Sequence, residues 1–164
     1  MVQVCAWPDT EASVCAALAS AIGMRPPAEP NRVEARGSTR VLWLGPHRWL
    51  VVTPKAPGSD LVGQLRALLP TEAAAVVDLG AGRRVFALSG PRARDVIAKE
   101  LPIDLHPVAF PPGRCVQGLM THVGVLVHAI APEAYEIFVY RAFAQHFLEM
   151  LEDAAAEYSG APAR

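Results

Sequence analysis

Four arginines lie within or just before the stretch "VFALSGPRARDVIAKELPIDLHP", residues 85–107: Arg83, Arg84, Arg92 and Arg94. In this stretch Ser89-Gly90-Pro91 separates an apolar run from a short helical pattern. Free N–H groups at a helix start, together with Arg92 and Arg94, could hold a carboxylate or a phosphate. A single Gly-Pro is far from a phosphate-binding loop, and the chain has neither a G-x-G-x-x-G nor a Walker sequence. We therefore interpret the stretch as a joint between a strand and a helix, with Pro91 at the first helical position.

The candidate nucleophiles are Ser89 and Cys115. Arg114 stands next to Cys115 and could favour its thiolate form. Ser89 is not in a G-x-S-x-G elbow, and no histidine follows either residue at a recognisable spacing. The sequence therefore predicts core or turn roles for both, and no catalytic residue.

Metal binding would require three or four convergent ligands at short spacing. Asp104-x-His106 could supply half of such a site, and His122 and His128 fall on neighbouring predicted strands. We expect turn or surface positions for all five histidines, which are His47, His106, His122, His128 and His146. No metal-binding or cofactor-binding residue is predicted. Three tryptophans, Trp7, Trp43 and Trp49, are expected in the core, with a partner contact as the alternative for at least one.

The composition favours a protein that binds another protein. The chain of 164 residues is 52% hydrophobic and 19% charged, which is more apolar than a lone domain needs. A net charge of −1 argues against nucleic acid or an anionic membrane as partner. Three widely spaced cysteines suit a reducing compartment, and no apolar run reaches the ~18 residues of a membrane span. We therefore expect a cytoplasmic protein.

Periodicity predicts an α+β fold with antiparallel sheets and an internal repeat. Each half reads as strand, helix, two or three strands, helix. "GPHRWLVVTP" in the first half aligns with "APEAYEIFVY" in the second, so that Trp49 and Tyr135 correspond at an offset of 86 residues. We expect one domain over residues 1–164, built of two pseudo-repeats at about 1–70 and 74–158.

The stretch "LSGPRARDVIAKELPIDLHPVAFPPGRCVQGLM" resembles a known family, the gamma subunit of heterotetrameric sarcosine oxidase. The elements that carry the resemblance are Ser89-Gly90-Pro91, Ala93-Arg94-Asp95, Asp104-Leu105 and Pro112-Gly113. "LWLGPHRWLVV" and "VVDLGAGRRVFALSGP" are also similar, so that the resemblance covers about residues 32–158. It implies a fold like the folate-binding domain of the T-protein (aminomethyltransferase) of the glycine cleavage system.

The resemblance further implies a non-catalytic scaffold subunit of a bacterial flavin-dependent complex that demethylates sarcosine to glycine. Alpha, beta and delta subunits would be its partners. FAD, FMN, NAD and tetrahydrofolate would be held by those other subunits. The resemblance assigns no folate-binding residue to this chain. Two alternatives stay open, a stand-alone tetrahydrofolate-dependent aminomethyltransferase-like protein and a folate-binding accessory protein. The resemblance also leaves open whether the amine substrate of the complex is sarcosine or another N-methyl amino acid.

Overall fold

The computed structural model of the chain describes residues 1–54, 60–70 and 73–159. The fold is α+β with antiparallel sheets, as the periodicity predicted. The chain divides into two compact units, Met1–Gly80 and Ala81–Arg164. No helix within the described ranges is both long enough and apolar enough to cross a membrane.

The first unit is a five-stranded sheet with two helices. Its strand order is β2-β3-β4-β1-β5, and neighbouring strands are antiparallel. The elements are β1 (Val2–Ala6), α1 (Glu11–Ile22), β2 (Val33–Arg36), β3 (Thr39–Gly45), β4 (Arg48–Val52), α2 (Leu61–Leu68) and β5 (Ala74–Asp78). Alternate residues of β1 pack with the apolar sides of the two helices, so Val4, Leu18 and Leu65 are fully buried in one cluster.

The second unit is a four-stranded antiparallel sheet with the order β6-β9-β8-β7. Its elements are β6 (Arg83–Ser89), α3 (Ala93–Glu100), β7 (Cys115–Met120), β8 (Val123–Ala131), β9 (Ala134–Tyr140), a 3₁₀ turn (Arg141–Phe143) and α4 (Ala144–Ser159). Ile97 of α3, Ile137 of β9 and Phe147 of α4 are fully buried in its core. The ring of Phe86 packs on that of Phe147 with 5.3 Å between centroids.

Four strands have the same arrangement in both units. The order β2-β3-β4-β1 of the first sheet corresponds to β7-β8-β9-β6 of the second. Trp49 and Tyr135 are each the second residue of the third of these strands, and both are buried. A register shift follows the partner of each, at Trp43 in β3 and at Ala129 in β8.

The fifth strand of the first sheet has no such counterpart in the second sheet within the described ranges. β5 pairs with β1, with Val4 opposite Val76. This segment, "AAVVDLG", was expected to belong to the second half of the chain. Its apolar character predicts a strand correctly but does not specify which sheet it joins, because that depends on long-range pairing.

The joint between β6 and α3 differs from the prediction in one detail. Gly90 has φ of +123°, which favours glycine, and its carbonyl accepts the N–H of Ala93 at 3.0 Å. Pro91 and Arg92 lie inside this turn, and Arg92 is the N-cap of α3. The prediction of Pro91 at the first helical position was therefore wrong, because the turn delays the helix to Ala93.

Candidate functional site

The Ser89-Gly90-Pro91 joint is held mainly by its backbone. The N–H of Gly90 donates to the carbonyl of Glu133 at 2.9 Å, which ties the end of β6 to the turn between β8 and β9. Ser89 is exposed at the last position of β6. The equivalent bond in the first unit runs from the N–H of Ala6 to the carbonyl of His47 at 2.8 Å. The geometry is therefore that of a repeated strand-to-helix joint.

Arg94 and Arg92 interact with groups of their own unit. The guanidinium of Arg94 donates to the carbonyl of Leu105 and, at 3.1 Å, to the carbonyl of Pro132. Arg94 thereby fastens the Asp104–Pro107 turn, in which Asp104 accepts the backbone N–H of His106 at 2.8 Å. Arg92 forms an exposed ion pair with Asp95 at 3.0 Å. The four arginines of the stretch thus do not converge on a single anion site.

Arg83 and Arg84 lie at the start of β6, away from this joint. Arg83 stacks on the ring of Tyr140, its cross-strand neighbour in β9. The distance from the guanidinium carbon to the ring centre is 4.7 Å. The Nε of Arg83 is buried without a hydrogen-bond partner among the described residues. Arg84 is exposed.

Cys115 belongs to a row of chemically active groups that spacing in the sequence does not reveal. It lies opposite His128 across β7 and β8, and His128 lies opposite Glu136 across β8 and β9. The Nδ1 of His128 is 3.4 Å from a carboxylate oxygen of Glu136. A thiol, an imidazole and a carboxylate in this order have the composition of a nucleophile, its base and an orienting group.

Burial separates this row from solvent. Cys115 is 0% exposed and His128 is 4% exposed. The expectation of a turn or surface position was therefore wrong for His128, because it lies within the mostly buried strand β8. A substrate in solution does not reach a thiol at this depth in the folded unit, and Cys115 therefore has the core role expected from the sequence. The register that aligns the row is set by the two-residue turn Thr121-His122, where Thr121 has φ of +53°.

The other four histidines lie at separate positions. His47 pairs with Glu11 at 2.8 Å and has φ of +59°, and it occupies the turn between β3 and β4. His106 accepts the backbone N–H of Val108 through Nδ1 at 3.3 Å. His122 is exposed in a turn, rather than on a strand as predicted, and His146 is exposed on α4. Among the described residues no group of three or more histidine, cysteine or acidic side chains has a geometry suited to a metal ion.

The tryptophans differ in exposure. Trp43 and Trp49 are cross-strand neighbours, and the indole N–H of Trp49 donates to the carbonyl of Pro27 at 3.0 Å. Trp49 is 2% exposed, as expected for a core residue, whereas Trp7 is 53% exposed. A core position for Trp7 was therefore the wrong expectation, because Trp7 lies just beyond the end of β1 in the turn before α1.

A pocket of about 340 Å³ lies beside α2 and β5. Its lining is mostly apolar, with residues Arg66, Leu69, Pro70, Ala74 and Val76. The guanidinium of Arg66 donates to the carbonyl of Val76 at 3.3 Å, so that the charged group of the lining holds β5 in place. Arg66 has the one charged or polar side chain among these lining residues, and a guanidinium is neither a nucleophile nor a general base.

A charged cluster joins α3 to the end of α4. The ammonium of Lys99 pairs with Glu157, donates to the carbonyl of Ala154 at 2.6 Å and lies 4.7 Å from the ring centre of Tyr158. The hydrogen bond with Glu157 raises the pKa of Lys99, and the bond with Lys99 lowers the pKa of Glu157. The guanidinium of Arg92 also lies over the ring of Tyr158, with 5.5 Å between the guanidinium carbon and the ring centre. These contacts hold the end of α4 against α3.

Comparison with known proteins gives a consistent result over nearly the whole chain. The model of a family described as "Sarcosine oxidase, gamma subunit family" matches residues 8–157. The sarcosine oxidase subunit gamma of an Arthrobacter species is 38% identical over 145 residues, which cover 88% of this chain and 70% of that protein. The subunit gamma of Corynebacterium sp. strain P-1 is 36% identical over 148 residues, with coverage of 90% and 72%.

A solved structure agrees with these relatives. It is the heterotetrameric sarcosine oxidase from Corynebacterium sp. U-96 in complex with pyrrole 2-carboxylate. One of its chains superposes with a TM-score of 0.88 at 34% identity, covering 99% of this chain and 82% of that chain. The resemblance seen in the sequence is confirmed, and it begins nearer the N-terminus than residue 32. This chain belongs to the sarcosine oxidase gamma subunit family.

Proposed function

We propose that this chain is the gamma subunit of a bacterial sarcosine oxidase complex that oxidatively demethylates sarcosine to glycine. The observation that carries the proposal is the match of 99% of the chain to one chain of a heterotetrameric sarcosine oxidase, at a TM-score of 0.88. Identity of 36–38% to curated gamma subunits supports the same assignment.

Within such a complex we infer a scaffold role and no catalytic, cofactor-binding or metal-binding residue in this chain. The placement of the candidate groups supports this inference. Cys115 and His128 are buried, and Arg92 and Arg94 interact with groups of their own unit. A substrate does not reach Cys115 and His128 without local unfolding, and the contacts of Arg92 and Arg94 within their own unit stabilise the fold.

The remaining parts of the proposal concern the rest of the complex. Its alpha, beta and delta subunits are the partners, and FAD, FMN, NAD and tetrahydrofolate are held by them. The complex is cytoplasmic, and nucleic acid and membranes are not partners. The duplicated strand-helix-strands-helix plan supports the further proposal that the fold is related to the folate-binding domain of the glycine cleavage T-protein.

The test is co-expression of the tagged full-length chain with the other three subunits. We expect the four chains to purify together and to release peroxide with sarcosine, while the lone chain is colourless and inactive. Retention of no other subunit by the tagged chain would overturn the proposal. Tight binding of tetrahydrofolate by the lone chain would instead favour the stand-alone folate protein.

A further inference from the structure

The backbone of β6 presents half of its polar groups away from its own sheet. The carbonyl of Gly82 accepts the N–H of Arg141 at 2.9 Å, and the N–H of Gly90 donates to Glu133, both toward the β9 side. Since hydrogen-bonding direction alternates along an antiparallel strand, the even-numbered residues of β6 bond β9. The N–H and C=O groups of Arg83, Val85, Ala87 and Ser89 therefore point to the other side, where no strand of the described residues pairs with β6.

The first sheet shows what occupies the equivalent position there. β1 corresponds to β6, because Val4 lies opposite Trp49 as Leu88 lies opposite Tyr135. On its outer side β1 pairs with the antiparallel strand β5, with Gln3 opposite Val77 and Cys5 opposite Ala75. These odd-numbered residues of β1 correspond to Ala87 and Ser89 of β6. In the first sheet of the same chain, the edge that corresponds to the outer edge of β6 is therefore paired with a strand, β5.

The side chains along β6 leave this edge accessible. Arg84, Val85, Ala87 and Ser89 are all exposed. Natural edge strands are commonly protected by proline, by a bulge, by short length or by charged side chains. β6 has seven residues, no proline and a continuous register with β9, and its charged residues, Arg83 and Arg84, occupy only its first two positions. The remaining five residues form an edge that can act as a template for an added strand.

The charge at one end of the edge defines the chemistry of a suitable strand. Arg83 is held against Tyr140, so its guanidinium is already oriented, and its Nε is buried without a hydrogen-bond partner among the described residues. No acidic residue occurs between Asp78 and Asp95 or between Glu136 and Glu149. A carboxylate brought in by another chain would find an oriented donor there.

We propose that the outer edge of β6 accepts an extended strand from another subunit of the complex, antiparallel to β6. This strand is apolar along its length and has an acidic residue at its carboxyl end, next to Arg83. β5 is an internal template for its backbone pairing, since it is a mainly apolar strand that pairs antiparallel with β1. The inference rests on the proposed function and specifies how the subunit joins its partners.

Hydrogen exchange of backbone amides tests the proposal directly, in the co-expressed four-chain complex and in the lone full-length chain. The amides of Phe86 and Leu88, which bond β9, should exchange slowly in both samples. The amides of Val85, Ala87 and Ser89 should exchange at least about tenfold more slowly in the complex, because only there would they donate to a partner strand. Equal exchange of the three odd-numbered amides in both samples would overturn the proposed edge and leave the proposed function intact.

Substitution of Ala87 provides a second, independent test. Ala87→Pro removes an N–H that points away from β9, so the ladder between β6 and β9 is retained while the outer edge loses a donor. Ala87→Val is the matched control, because it keeps the N–H and favours a strand. We expect Ala87→Pro to weaken retention of the other subunits at least about tenfold and Ala87→Val to leave it unchanged. Circular dichroism and the melting temperature of each lone variant check that it is folded.

Charge reversal tests the acidic end of the partner strand. Arg83→Glu should weaken retention about tenfold or more and reduce its dependence on salt, whereas Arg25→Glu, at an exposed arginine of the first unit, should not. If Ala87→Pro and Arg83→Glu both bind the other subunits like their controls, the edge is not the contact. If the lone chain dimerises with protected odd-numbered amides, a second copy occupies the edge and the proposal fails.

Discussion

Arg92 and Arg94 are two residues apart, but their guanidinium groups have different surroundings. Arg94 is partly buried and bonds two backbone carbonyls, those of Leu105 and Pro132. Arg92 is exposed and bonds the side chain of Asp95. The loss of a partly buried, charge-assisted bond leaves carbonyls without their donor, whereas exposed ion pairs contribute little.

We therefore expect Arg94→Met to lower the free energy of unfolding by about 1.5–3 kcal/mol. Arg92→Met, the matched control, should lower it by no more than about 1 kcal/mol. Urea denaturation of the full chain at neutral pH measures both values. Equal losses in the two variants would contradict the structural role of Arg94.

Tyr135 is a second residue whose role can be measured. Its ring is almost fully buried, and its hydroxyl is 3.4 Å from the carbonyl of Pro132. Burial raises the pKa of Tyr135 above its ordinary value of 10.0. The folded chain then keeps the phenol proton to higher pH than the unfolded chain does. This contribution to stability is complete below pH 10.0 and is lost as the pH rises through the raised folded pKa.

Tyr135→Phe should cost no more than about 1 kcal/mol at neutral pH, since only a long hydrogen bond is lost. Above about pH 10 the variant should lose less stability than the parent protein, because phenylalanine has no proton to release. Unfolding free energies at several pH values between about 8 and 11 measure the difference. Tyr140→Phe is the control at an exposed tyrosine, and a matching alkaline effect there would contradict the argument.

At the scale of elements, the contact between α3 and α4 depends on the ionisation of two exposed groups. The lowered pKa of Glu157 means that its contribution is present above its ordinary pKa of 4.5 and is lost as pH falls through the lowered folded value. The raised pKa of Lys99 means that its contribution is present below 10.5 and is lost as pH rises through the raised folded value.

Lys99→Met should therefore lower the melting temperature across the neutral range. The difference from the parent protein should shrink at acid pH, where Glu157 is protonated, and at strongly alkaline pH, where Lys99 is neutral. Thermal melts across this pH range measure it, with Arg25→Met as a control at an exposed cation outside the cluster. A difference that stays constant with pH would assign the effect to lost side-chain packing instead.

The elements themselves could largely be predicted from the sequence. The two segments aligned between the halves form corresponding strands, since "RWLVV" is β4 and "AYEIFVY" is β9. These elements depend on local turn residues and on alternating apolar residues, which are local properties. Which sheet β5 joins depends on pairing between residues that are distant in the sequence, and the sequence pattern did not reveal it.

The candidate residues could be predicted only in part, for the same reason. The buried positions of Cys115 and Trp49 follow from their apolar strand contexts. The row that Cys115 forms with His128 depends on a register set by a Thr-His turn, which lacks the Asn-Gly signal of a two-residue hairpin. The roles of the arginines depend on tertiary neighbours such as Leu105, which lies 11 residues from Arg94.

At the scale of the whole molecule, we propose that the chain behaves as a single domain made of two repeats. Each unit spans only about 80 residues, and domains of this size bury a small core. We expect one cooperative transition by calorimetry, with equal calorimetric and van't Hoff enthalpies. Residues 1–80 expressed alone should melt at a lower temperature than the full chain. Two separate transitions in the full chain would contradict the proposal.

Because Cys115 is completely buried, the rate at which a thiol reagent labels it reports the conformational opening of the unmodified chain. Cys5 and Cys15 are partly exposed, whereas the thiol of Cys115 has no exposed surface. A thiol reagent should therefore label two cysteines quickly and the third only when the second unit opens, so that the slow phase measures the opening rate. Added partner subunits should lengthen this slow phase if they bind only the closed form. The kinetics of assembly can then be followed by mass spectrometry without any engineered label.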